Sequence, residues 1–288
     1  MGSALQTTRR DHLADRMVML ACWASAAVVT AMFIWIVGDV ARRGISHMSW
    51  SFLTTLPQDA GRSGGIAPMI VSTLLILAVC MVVSIPIGVG SAVFLSEFTR
   101  SGGLFGRFVR RSLDVLAGVP SIVFGLFGNA FFCIYLDMGF SILSGGLTLA
   151  CMVLPILIRS TEEGFRSVPE SYRQGATAVG LSRSAALWHI LLPAAMPGLV
   201  VGLVLGIGRA LAETAALLFT SGYVDRMPTS LSDSGRAMSV HIYDLAMNVT
   251  GGDPNAAATA LVLIVALLMI NTIASWTAER WLGRRVIT

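Results

Sequence analysis

Long apolar runs separated by short polar intervals govern the pattern of this chain. Runs of about 17 to 25 apolar residues match the length a helix needs to cross a hydrocarbon core of about 30 Å. They fall near 17–38, 67–95, 119–137, 140–158, 196–220 and 256–277, which predicts an all-α membrane protein of six transmembrane helices. Pro86 should kink the second span, and Pro155 in the fourth is tolerable where neighbouring helices satisfy the freed carbonyl. Residues 1–16 read as a cytoplasmic segment. The run from Met17 to Val37 is longer than the apolar region of a cleavable leader, so 17–38 reads as a retained signal anchor.

Composition and charge sharpen this picture. The 288 residues are 55% hydrophobic and 12% charged, with a mean hydropathy of +0.76, so the bilayer is the main solvent. All 20 basic residues are arginine. With both termini in the cytoplasm, only Arg42, Arg43, Arg62, Arg226 and Arg236 lie outside and Arg209 lies within a span. The remaining arginines, including Arg9, Arg10, Arg16, Arg100, Arg284 and Arg285, are then inside, as the positive-inside rule requires. The net charge of +4 therefore reports topology. Arginines bordering spans do not form the basic face of a nucleic-acid-binding domain. Cys22, Cys80, Cys133 and Cys151 sit in apolar spans as packing residues, and the four dispersed histidines offer no metal-ligand spacing. The chain has no lysine, hence no Walker A phosphate loop. The polar intervals 159–193 and 222–255 are too short for a nucleotide-binding domain, so ATP and Mg would have to be bound by another chain. The acids and arginines of 222–255 are either a contact surface for an external protein or a solvated face.

The interval Arg159 to Pro193 carries the most specific pattern. Ser167-Val168-Pro169-Glu170 suits a helix start with a reciprocal cap, Gly180 suits its left-handed stop, and Ser182 suits the cap of a second helix running to about Leu191, before Pro193. Gln174-Gly175-Ala176, Gly180, Ile190 and Leu192-Pro193 follow the spacing of the cytoplasmic signature of ABC-importer permeases, which they resemble except that Gln174 replaces an acid. An ordinary amphipathic hairpin on the membrane surface is the alternative.

Within the fifth predicted span lies Arg209, with Glu213 one helical turn later. A charge at mid-membrane is costly and faces a bundle interior or an aqueous cavity. An i,i+4 pair is a structural lock or, because a guanidinium fork matches a tetrahedral oxyanion, part of an anion pathway. Ser121, in the run Gly118 to Gly128 that opens the third span, starts a helix whose unpaired N–H groups attract anions; the glycines of that run equally suit close helix packing.

The Gly118–Gly128 run, Ile158-Arg159-Ser160-Thr161-Glu162-Glu163, the 159–193 loop, Arg209 with Glu213-Thr214, Val240-His241-Ile242-Tyr243 and Gly65-Ile66-Ala67-Pro68 together resemble a phosphate-import permease of the PstA type. The likeness covers about 65–285. It implies a type I, MetI-like permease domain of the bacterial inner membrane, with a coupling helix in the 159–193 loop. It also implies a PstC-like second permease, PstB-like ATPase subunits and a PstS-like external phosphate-binding protein as partners. Arg209, Glu213, Thr214 and Ser121 are then substrate-pathway residues, and no residue is catalytic. Molybdate, sulfate or phosphonate remain alternative anions, and a non-transporting scaffold or sensor is a different class.

Overall fold

The computed structural model describes residues 9–99 and 103–283. Arg100, Arg284 and Arg285 of the topology argument lie outside the described residues, as do residues 1–8 of the predicted 1–16 segment. Helix α1 (Arg9–Ile45) leads to a short α2 (Trp50–Thr54) and a two-stranded antiparallel hairpin, β1 (Pro57–Gln58) and β2 (Ser63–Gly64). Helix α3 (Ala67–Val93) follows, ending in the wider π-helical turn Phe94–Phe98. Helix α4 (Leu104–Ala117) then meets α5 (Ser121–Gly128, extended by the π-turn Asn129–Tyr135) at 99°. Next come α6 (Ile142–Ser167), α7 (Glu170–Ala178), α8 (Arg183–Ala186), α9 (Leu192–Leu211), α10 (Ala215–Leu218), α11 (Met238–Met247) and α12 (Asp253–Gly283).

Five helices among the described residues are long and apolar enough to cross a membrane, and six if the bent α4–α5 pair is one span. Five of the six predicted spans are found with shifted limits, and the third corresponds to the bent α4–α5 pair. The third is the largest change: Ser121–Tyr135 covers only roughly 22 Å at 1.5 Å per residue, and α4 lies across it as an amphipathic arm. The fifth ends at Leu211 instead of 220, because Ala212 caps the helix and the chain turns into α10. At its start, α8, a π-turn at Leu187–Leu191 and α9 form one continuous rod from Arg183 to Leu211, so Pro193 begins a helix segment and does not stop one. Pro86, Pro155 and Pro197 all sit within helices that continue past them.

Helix α6 is the hub. Its most apolar window is 67% buried, against 0% for that of α1. It packs on α3 through Ile76, Cys80, Leu149, Met152 and Val153, and on α9 through a glycine seam. A Cβ on Gly198 would lie 2.6 Å from Ser160 O and collide with the backbone of Gly164, and one on Gly206 would reach Val153 Cγ1 at 2.7 Å. With no hydrophobic effect between helices in lipid, such small residues let backbones approach and gain dispersion contacts. The N-terminal amides of α6 are satisfied by Ser141 Oγ and by the 230s loop, where Leu143 N donates to Leu231 O and Ile142 N to Asp233 O, both at 2.9 Å. Met238 N at the start of α11 donates to Thr73 Oγ1 at 2.9 Å.

Alternation of the helices gives the bundle two ends. The hairpin end holds α7 and α8; the far end holds α2, the β-hairpin, α10 and α11. At the far end His241 is 1% exposed, with Arg236 Nη1 3.5 Å from its Nδ1. Burial first, then Arg236, depresses its pKa to about 4. Arg236 itself pairs with Asp244 at 3.0 Å, and Asp233 accepts from Thr229 and Ser230. Those three members of the 222–255 interval thus brace the loop internally.

Candidate functional site

The hairpin end is built on two layers. Ile190 and Leu192 join Phe165, Val168, Leu191 and Ala195 in one apolar cluster, and Ala176 is 3% exposed. These motif positions hold the α7–α8 hairpin onto the bundle. Gln174, Gly175 and Gly180 are exposed. Gly180 has φ +74°, which only glycine adopts freely, so it makes the turn, and Ser182 Oγ caps α8 by accepting from Ala185 N at 3.2 Å. Gly175 has no such need, since a Cβ there would meet nothing within 4 Å. Ser167 does not cap α7 as predicted: its hydroxyl donates back to Gly164 O, and Pro169 is the residue preceding the helix. The same hairpin also carries the exposed apolar side chains of Tyr172, Val179 and Trp188.

A residue that sequence reasoning passed over fixes this hairpin in place. The guanidinium of Arg173 reaches Glu97 at the end of α3 with two bonds, Nε to Oε2 at 3.2 Å and Nη2 to Oε1 at 2.8 Å. It also donates to Phe165 O and Val168 O, each at 3.0 Å. The bond to Glu97 raises the Arg173 pKa. One side chain thus ties α7 to the ends of both α3 and α6. Beside it a mixed cavity of about 160 Å³ is lined by Glu97, Arg173, Thr177 and Arg183. The signal in the sequence was only an acid after the second span and an arginine before Gln174, 76 residues apart.

Next to this staple is a second ionic group. Glu162, 1% exposed, receives Arg110 Nε at 2.6 Å and Arg166 Nη2 at 3.0 Å, with Arg159 Nη1 at 3.8 Å. Arg159 also binds Asp114 of α4, and Arg110 donates to Leu95 O at 3.0 Å. The amphipathic α4 is therefore clamped to α6 and to the end of α3.

At the opposite end the predicted Arg209–Glu213 pair is not formed. Arg209 occupies the last turn of α9, where the helix dipole favours a cation, and not the middle of a span. Beyond it the helix has ended, so Glu213 no longer shares its face. The Glu213 carboxylate instead accepts from Ala216 N at 3.2 Å, stapling the start of α10, and its carbonyl accepts from Ser239 Oγ at 2.6 Å. Thr214 is the residue preceding α10. Among the described residues no carboxylate lies within ion-pair distance of Arg209, and its Nε is buried with no hydrogen-bond partner. Ser121 begins α5 but makes no hydrogen bond to either group. One turn on, Gly125 lets α10 approach, since a Cβ there would lie 2.8 Å from Ala216 Cα. A cavity beside the end of α9, lined by Thr73, Ala210, Leu211 and Ser239, holds only about 10 Å³, about the least that admits one water.

The model of the binding-protein-dependent transport system inner membrane component family matches residues 84–288. The chain is 32% identical to the probable ABC transporter permease protein YqgI of Bacillus subtilis, covering 96% of each. It is also 32% identical to the phosphate transport system permease protein PstA 2 of Mycobacterium bovis, covering 94% of this chain and 91% of that one. Its fold is similar to a chain of a bacterial ABC transporter involved in the import of the acidic polysaccharide alginate, at a TM-score of 0.63, 15% identity and coverage of 92% and 98%. A chain of the inward-facing MetNI methionine ABC transporter gives 0.53 at 16% identity, over 78% of this chain and 94% of that one.

Proposed function

We propose that this chain, which belongs to the family of binding-protein-dependent transport system inner membrane components and so is the permease subunit of an ABC importer and not itself an enzyme, carries inorganic phosphate. Permeases of this kind work with an ATPase and a substrate-binding protein; here ATP and Mg would be bound by the ATPase, and a second, similar permease would complete the pathway. The hairpin end and both termini face the cytoplasm, with the far end toward the binding protein. The names of the relatives support phosphate as the cargo.

The observation that carries this reading is the unpaired Arg209 at the tip of the rod that starts in the docking hairpin. An unneutralised, partly buried guanidinium is destabilising, and a tetrahedral oxyanion is the chemistry its planar fork best matches. Arg209 does not line the small cavity beside the end of α9; the route runs along the surface of the chain, to be enclosed by the second permease. Displacement of the hairpin by the ATPase is carried along Arg183–Leu211 past the glycine seam to Arg209. Arg173 makes α3 and α6 follow the same movement. Glu213, by stapling α10, positions the turn behind Arg209.

Labelled phosphate uptake into ATP-loaded proteoliposomes holding the complete complex tests this, comparing native protein with Arg209→Gln while molybdate and sulfate compete. Uptake that is lost in an assembled variant and that resists both competitors in the native complex is expected. Unchanged uptake removes Arg209 from the route, and efficient competition assigns the complex to another oxyanion.

A further inference from the structure

Arg107, Arg110 and Arg111 read alike in sequence, yet the fold treats them differently. Arg110 turns inward to Glu162 and Leu95 O. Arg107 and Arg111, one helical turn apart, are exposed, and among the described residues neither meets a carboxylate. Alongside them the outer face of α4 shows Leu104 at 79%, Phe105 at 60%, Phe108 at 70% and Val115 at 70% exposure. Such a division of one helix into an apolar arc and an arginine edge is that of a helix lying in the plane of the membrane interface. The geometry agrees, since α4 stands at 99° to the crossing α5.

Beneath the elbow is a cavity of about 520 Å³, lined by apolar residues of α4, α5, α6 and the turn between α4 and α5. Leu116, Val123 and Phe127 line it and are also 42%, 47% and 49% exposed. The cavity therefore opens between α4 and α5 on the outer surface, below the arginine-bearing helix. A wall without polar groups excludes the transported anion as occupant, and two unneutralised arginines select a negatively charged neighbour.

We propose that the α4–α5 elbow binds an anionic phospholipid of the surrounding bilayer, with its phosphate at Arg107 and Arg111 and an acyl chain in the cavity below. Through Arg110, Glu162 and Leu95 the lipid seat is joined to the end of α3, where Glu97 holds the docking hairpin by Arg173.

The test uses the assembled complex in nanodiscs containing a small fraction of phosphatidylglycerol or phosphatidylcholine, each with the same diazirine-bearing acyl chain. Photolysis followed by peptide mapping reads the labelling of residues 113–127. Phosphatidylglycerol should label this segment at least about fivefold more than phosphatidylcholine. Arg107→Gln and Arg111→Gln should each lower that preference about fivefold, as expected for one arginine at a charged surface, and Leu116→Trp, at the cavity mouth, should reduce labelling by both lipids. Equal labelling of the native complex by the two lipids overturns the proposal. So does capture of another protein chain, instead of lipid, by a photo-crosslinking residue placed at Val123. Neither readout involves transport, so a failure here leaves the phosphate assignment standing.

Discussion

Replacing Arg173 by Gln should loosen the docking hairpin while leaving the membrane bundle intact. The structure sets the size of the effect. The guanidinium makes two bonds to Glu97 and two to main-chain carbonyls, with side-chain exposures of 24% for Arg173 and 15% for Glu97. Breaking a fully buried pair costs about 3–5 kcal/mol. Partial solvent access reduces that, and Gln recovers at most one bond, which leaves about 2 kcal/mol at the net worth of charged hydrogen bonds. The docked hairpin would then lose roughly 30-fold in its equilibrium against the undocked state. Hydrogen exchange of the assembled complex reads this directly: amides of 170–191 should exchange about 30-fold faster, with those of 145–160 unchanged. ATP hydrolysis should persist while its stimulation by substrate falls. Arg173→Lys, which keeps the charge but loses the fork, should lie between. A double-mutant cycle with Glu97→Gln should show a coupling above 1 kcal/mol. Exchange within twofold of native in Arg173→Gln, or strictly additive effects with Glu97→Gln, would refute the staple.

Three further outcomes follow from the same structure. Gly198→Ala must part α6 from α9, so at about 1–3 kcal/mol for overpacking it should lower the midpoint of thermal unfolding by several degrees, whereas Gly90→Ala, with nothing within 4 Å, should be neutral or slightly stabilising; equal shifts would dismiss the seam. His241 is neutral in the folded state down to about pH 4, while the unfolded chain takes up its proton near pH 6.5. Stability is therefore full above 6.5 and falls by about 3 kcal/mol as pH drops to 4, a slope that His241→Gln should remove in a pH series of unfolding curves; Arg236, Asp244 and Asp225 act on this ring and must be kept intact. Finally, Arg209→Gln should leave the unfolding midpoint level or raised, since it deletes a charge without a counter-ion, even where uptake is lost; a clear drop would mark Arg209 as structural.

The apolar periodicity made the spans legible, because hydrocarbon thickness imposes their length, and the hairpin was legible because Gly180 and Ser182 act through their own local backbone. Spacing alone misled where tertiary contacts prevailed. Arg209 and Glu213 stand four apart as an ion pair would, but the helix stops between them because the chain re-enters to pack α10 on Gly125. The α4–α5 bend was missed since Gly118-Val119-Pro120 reads equally well as the beginning of a straight span. Arg173–Glu97 and Arg110–Glu162 join residues 76 and 52 apart, and no local pattern links them.

The shortness of α5 has an electrical consequence. Its 15 residues cover roughly 22 Å, less than the hydrocarbon core of about 30 Å, so wherever α5 alone spans that core the bilayer thins or water enters. The whole membrane voltage then falls across a narrower insulating slab. Moving one charge across all of it does about 2.3 kcal/mol of work per 100 mV whatever the thickness, but each step counts for more: a shift of about 5 Å next to α5 spans nearly a quarter of the drop, about 0.5 kcal/mol per charge at that voltage. An anion held there would feel the membrane potential over a displacement no larger than one helical turn.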